Sequence, residues 1–140
     1  MTDLDNAKRL LFTEKHTCVL CKGDVVYASG KAGIAPIVAF FDTATPLEGF
    51  SAADRIVGKA AAMLYHLAGV VAIYADVASK GAVEYCLHNN IECSAALVVD
   101  NIINRAGTGS CPMEDAVRGI DDPAQALAAV RAKMASLRKH

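Results

Sequence analysis

Tryptophan is absent from this chain of 140 residues, and phenylalanine and tyrosine together make up only 6% of it. A core without many large rings must be filled by small side chains. The apolar share of 54% is rich in alanine, valine and leucine, which suits helices lying close on a sheet. Neither charge is in excess. Fourteen basic and fifteen acidic residues leave a formal net charge of -1, so nothing attracts nucleic acid or anionic membranes in general. The basic end formed by Arg131, Lys133, Arg138, Lys139 and His140 reads as a solvated helix face favoured by the macrodipole.

A membrane-length apolar run is missing too. Residues 60 to 75 are uncharged, yet His66 and Gly69 interrupt them, and they fall short of the roughly 18 to 20 apolar residues a span requires. Asp3 and Asp5 stand where a signal peptide would carry basic residues, so a cytoplasmic protein without a membrane partner is expected. Five cysteines at unrelated spacings do not form a paired framework and fit reduced thiols. At this length a single domain over residues 1–140 is expected, burying roughly 70% of the surface its unfolded chain exposes.

The hydrophobic pattern predicts the elements. Leu4, Ala7, Leu11 and Phe12 have the spacing of an amphipathic helix over 3–15. Runs 17–21 and 25–29 flank Lys22-Gly23-Asp24 and predict a hairpin. Pro36 opens a short helix to Phe41. Ser51-Ala52-Ala53-Asp54 matches a capping box before a central helix running to Leu67 and stopping at Gly69. A buried strand is expected at 70–75, a helix at 79–89, and strands at 91–95 and 98–104. A short helix follows Pro112, and Asp122-Pro123 starts a last one along Leu127, Val130, Met134 and Leu137. This order predicts a layered α/β domain with right-handed crossovers.

The segment Asn104-Arg105-Ala106-Gly107-Thr108-Gly109-Ser110-Cys111-Pro112-Met113-Glu114 joins a flexible loop, a cation, a thiol and a helix start. Gly107 and Gly109 free backbone N–H groups to face a ligand. The helix start attracts negative charge and can activate a thiol. A capped helix alone would account for Glu114, reaching back to its own helix end, but leaves Asn104, Arg105 and Cys111 without a common role. Lys59 falls on the apolar stripe of the expected central helix, where it must snorkel or meet an anion; Asp54 and Asp76 are the candidate partners. Cys18-Val19-Leu20-Cys21 has a CxxC spacing, but residues three apart on a strand face opposite ways. Cys86 and Cys93 read as core residues. His16, His66 and His88 lack partners at ligand spacing, so neither a metal nor a cofactor is expected. Gly58-Lys59-Ala60 lacks the remainder of a P-loop, and Ser29-Gly30-Lys31-Ala32-Gly33 reads as an ordinary turn.

Asp54-Arg55-Ile56-Val57-Gly58-Lys59-Ala60-Ala61-Ala62 followed by the 103–114 segment resembles an uncharacterised prokaryotic family with a cytidine-deaminase-like fold. The resemblance spans roughly residues 17 to 137 and implies a three-layer α/β/α domain with a mixed central sheet, without an established activity. Zinc deaminases start two central helices with a His or Cys plus a Glu, and with Pro-Cys-x-x-Cys. The helix starts expected here, Ser51 to Arg55 and Asp76 to Lys80, carry neither, and Cys111-Pro112 reverses the order. The expectation is a metal-free domain that binds a small anionic or nucleotide-like ligand through Asp54, Lys59, Asn104, Arg105, Gly107, Thr108, Gly109, Cys111 and Glu114. Two alternatives stay open: an enzyme using Cys111 as nucleophile or Lys59 as base, and a homo-oligomeric interaction module.

Overall fold

The structure is a computed structural model that describes residues 1–104 and 106–138. Helix α1 (Asp3–Thr13) opens with a reciprocal capping box between Thr2 and Asp5. Strands β1 (Cys18–Lys22) and β2 (Val25–Ser29) form the expected hairpin. After α2 (Ala35–Asp42), the chain continues as β3 (Ser51–Val57), α3 (Lys59–Ala68), β4 (Ala72–Ser79), α4 (Lys80–His88) and β5 (Glu92–Val99). A short α5 (Pro112–Ala116) and a long α6 (Pro123–Arg138) complete it.

The five strands make one mixed sheet in the order β2-β1-β3-β4-β5. β1 is antiparallel to both neighbours, whereas β3, β4 and β5 run parallel. Helices cover both faces, giving the expected three layers. On one face Val19, Cys21, Ala53 and Tyr74 pack against Ala7 and Leu11 of α1. On the other, Leu20, Ala52, Val57, Ile73 and Ala75 meet Ile37, Met63, Leu64, Tyr85, Ala126 and Val130 from the remaining helices. Cys18 and Cys21 fall in these two different clusters, so the CxxC pair is divided by the sheet.

Three elements differ from the sequence pattern. Residues 51–57, expected as the first turns of the central helix, are a strand flanked by β1 and β4. Their alanines favour helix locally, but Ala52 and Ala53 are fully buried on opposite faces, and two ladders of backbone hydrogen bonds outweigh a propensity of tenths of a kcal/mol per residue. The capping box at Ser51 therefore caps nothing. Helix α3 starts at Lys59 behind Gly58 and ends, as expected, at Gly69 with φ 90. The second difference lies at 91–104, where one strand replaces the two expected. Beyond Val99 the chain leaves the sheet and closes on itself by an isolated bridge, Ile103 to Ser110. β4 also runs on to Ser79, because Val77 and Ala78 pair with a neighbouring strand on each side. No helix among the described residues is long and apolar enough to cross a membrane.

Candidate functional site

Because β3, β4 and β5 are parallel, the N-termini of α3 and α4 and the loop leaving β5 gather at one end of the sheet. Open α/β sheets bind ligands outside the carboxyl ends of their strands. A cleft of about 220 Å³ lies there, its wall including Lys59, Ser79, Asn101, Ser110, Glu114 and Arg118. A roomier hollow of about 310 Å³, between α2 and the end of α3, is walled by residues such as Ile37, Phe40, Pro46 and Leu67, with Glu48 as its one charged group. Chemistry favours the smaller cleft, which gathers groups of both signs.

Glu114 is the centre of this end. Its Oε1 accepts the Lys59 N–H and its Oε2 the Ala60 N–H, each at 2.8 Å. A carboxylate thus spans the first turn of α3, where the macrodipole favours negative charge. Gly58 makes this possible: a Cβ there would stand 2.3 Å from Oε1. The sequence pattern placed Glu114 on its own helix end; the carboxylate instead caps a helix 55 residues earlier, as its two hydrogen bonds require.

Lys59 occupies the first position of α3, not the middle of a helix. Its Nζ lies 3.1 Å from Asp121 Oδ1, a partner the sequence did not suggest, while Asp54 and Asp76 are engaged elsewhere. Lys80 pairs with Asp100 at 2.7 Å, holding the Asp100 carboxyl below its ordinary range. Arg118 pairs with Asp115 at 2.7 Å. Hydrogen bonds from Ser110 and Arg118 keep Asp115 low as well. Ser79 caps α4 by accepting the Ala82 N–H.

The described residues between Ile103 and Cys111 hydrogen-bond to one another as a turn. Asn104 N–H donates to the Gly109 carbonyl, Gly107 N–H to the Asn104 carbonyl, and Thr108 N–H to Asn104 Oδ1. Asn104, Gly107, Thr108 and Gly109 do not line the cleft; Asn101, Ile102 and Ser110 of the same loop do. Cys111 stands half-buried at the N-cap of α5. Arg105 lies outside the described residues.

Asp54 is in the core, with 6% of its surface exposed. The Tyr65 hydroxyl donates to its Oδ2 at 2.7 Å, and Cys18 Sγ lies 3.1 Å from that hydroxyl. Burial raises the Asp54 carboxyl to about 7, against hydrogen bonds from Tyr65 and from the backbone at Arg55 and Ile56. Burial likewise pushes the Cys18 thiol and the Tyr65 hydroxyl up. On the opposite face Arg55 donates to Asp76 at 3.1 Å, to the Leu11 carbonyl at 2.6 Å and to the His16 carbonyl at 3.2 Å. Tyr74 donates to the same Asp76 at 3.0 Å. These bonds anchor the end of α1 to the sheet, a cation completing a helix C-terminus.

The structure therefore unites Lys59 and Glu114 in the cleft, leaves Asn104, Gly107, Thr108 and Gly109 outside its wall, and puts Asp54 inside the core. Sequence reasoning missed Ser79, Asn101, Arg118 and Asp121. Of these only Ser79 carried a signal, a serine directly before a helix.

The model of DUF1893, a domain of unknown function, matches residues 6–134. A crystal structure of a DUF1893 family protein (TM1506) from Thermotoga maritima superposes with a TM-score of 0.85 at 26% identity, covering 95% of this chain and 91% of that one. Among curated proteins none matches. The family model covers nearly the whole chain, and this protein belongs to the DUF1893 family.

Proposed function

We propose that this domain binds a small anionic or nucleotide-like molecule in the cleft at the carboxyl ends of β3 to β5. The observation that carries the reading is the Glu114 carboxylate on the Lys59 and Ala60 N–H groups, because an N-terminus that holds one carboxylate is built to hold anionic charge. Lys59 and Arg118 supply positive charge beside it, and Ser79, Asn101 and Ser110 supply hydrogen-bonding groups. The ligand's anionic group sits against Lys59 and Arg118, with Asn101, Ile102 and Ser110 on its other side.

The fold is read as cytidine-deaminase-like on the strength of its mixed five-stranded sheet and layer order. The helix after β3 opens Gly58-Lys59-Ala60-Ala61-Ala62, which supplies neither Cys nor His as a zinc ligand. No zinc deamination is assigned to it.

The test is a thermal-shift panel of nucleotides, nucleosides, sugar phosphates and zinc. A ligand at a hundred times its Kd stabilises the native state by about 2.7 kcal/mol. A shift confined to phosphorylated compounds, and lost in Lys59→Ala and Arg118→Ala, is the expected result. A flat panel, or a shift unchanged in both variants, overturns the reading. One observation favours a second role as a homo-oligomeric module: β5 is an edge strand with Leu97 56% and Val98 46% exposed. Sedimentation as a monomer at micromolar concentration would remove it.

A further inference from the structure

The hollow between α2 and the end of α3 shares no wall residue with the cleft, and its electrostatic character is the opposite one. Its volume of about 310 Å³ is twice the ~150 Å³ of a cavity that takes up benzene, and falls at the small end of the range for small-molecule sites. Half-buried Phe40 and Phe41, with the aliphatic side chains of Ile37 and Leu67, make it apolar. Phe40 is held by Tyr27, its ring 5.8 Å away, and Tyr27 stacks in turn on Phe50 at 5.5 Å.

Against this apolar wall stands one charged group, Glu48. Its backbone is pinned on both sides. The carbonyl of buried Leu47 accepts the Phe50 N–H at 3.1 Å, and the Gly49 N–H donates to the Gly69 carbonyl at 2.8 Å. Gly69 ends α3 at φ 90, and a Cβ there would stand 2.9 Å from the Glu48 Cα and 3.2 Å from its Cβ and Cγ. The glutamate stem therefore lies against the end of α3, in place before a ligand arrives. Among the described residues its carboxylate makes no hydrogen bond or ion pair; Lys22 Nζ donates to the Glu48 backbone carbonyl instead, at 3.0 Å. Two helices also finish at this wall, α2 through Phe40 and Phe41 and α3 through Leu67 and Ala68, and a helix C-terminus favours a cation. Neither last turn supplies a lysine or arginine. His66 in the last turn of α3 is hydrogen-bonded to the Tyr85 hydroxyl at 2.6 Å, and Arg131 of α6 is engaged by Asp42 at 3.0 Å.

We infer that this hollow binds a small organic ammonium ion with an apolar body, its N–H groups donating to the Glu48 carboxylate and its hydrocarbon part lying against Phe40, Phe41 and Leu67. An anion would meet Glu48 and two negative helix ends. A neutral hydrocarbon would take water from the carboxylate and return no hydrogen bond. An ammonium ion supplies a charge-assisted bond and attraction to the aromatic rings, and its chain gains from burial.

The experiment titrates phenethylammonium into the full chain at neutral pH and follows the backbone amides by NMR, with phenethyl alcohol and hydrocinnamate as the neutral and anionic counterparts. Saturable shifts are expected at residues 40–48 and 67–69, tighter for the ammonium ion than for the alcohol and absent with hydrocinnamate. Glu48→Gln, a change at an exposed residue, should weaken the ammonium ion about fivefold and leave the alcohol unaffected. Shifts that never saturate, equal affinity for the ammonium ion and hydrocinnamate, or an undiminished response in Glu48→Gln overturns the inference. Shifts of the same amides on concentrating the protein alone would seat a second copy there and overturn it as well. The three probes on the wild-type chain decide the matter if the variant folds poorly.

Discussion

Replacing Asp54 by asparagine should remove a slope from the protein's pH–stability curve. Asp54 is buried with its carboxyl raised from 3.8 to about 7, so the native state prefers it protonated. The unfolded chain ionises it near the ordinary value. Its contribution to stability is therefore complete below pH 3.8, falls as the pH rises, and is gone above about 7. At about 1.4 kcal/mol per unit, the difference amounts to about 4 kcal/mol, a large share of the ~5–15 kcal/mol that holds a domain of this size. Asparagine keeps an acceptor for the Tyr65 hydroxyl and cannot ionise. Urea denaturation of Asp54→Asn and wild type at intervals from pH 4 to pH 8 should give curves that separate progressively, the variant ending about 4 kcal/mol more stable relative to wild type than at the acid end. Tyr65→Phe should widen the wild-type descent, because the hydroxyl donor that favours the carboxylate is gone. A constant difference between Asp54→Asn and wild type across that range would refute the reasoning.

Glu114→Ala strands two N–H groups at the start of α3 and should cost about 1–3 kcal/mol in urea unfolding. Gly58→Ala must expel the same carboxylate, so the two changes should be strongly non-additive in a double-mutant cycle; simple additivity would show that Gly58 and Glu114 act separately. Leu11→Ala, on the face of α1 that meets the sheet, should cost about 2–5 kcal/mol, and a loss near zero by the same assay would mean that α1 is not a structural layer.

The helices and the hairpin were readable because their signals are local: the apolar spacing of Leu4, Ala7, Leu11 and Phe12, a turn at Gly23, a stop at Gly69, and proline at the first turns of α5 and α6. Residues 51–57 were not, since a strand buried on both faces has no polar alternation, and Ser51 to Asp54 imitates a helix start. That one error displaced Lys59 by two turns and moved Asp54 from a presumed helix end to the core. Glu114 was given to the nearer helix, because sequence spacing cannot report a hydrogen bond across 55 residues. Asp121 and Arg118 had no local signature; the return of the chain between α5 and α6 alone sets them beside the cleft.

The bond from Glu114 to α3 also fixes an order of assembly. The units from β3 to β5 pair neighbours close in the chain, so their ladders and crossovers form from contacts with small loop-closure cost. Helix α3 lies within those units, yet its first turn lacks its cap until residue 114 has been synthesised and has reached it. On the ribosome the middle of the chain therefore takes shape with that end frayed, and the last quarter of the polypeptide closes it. A chain shortened before Pro112 would keep every strand of the sheet and still leave its central helix unfinished.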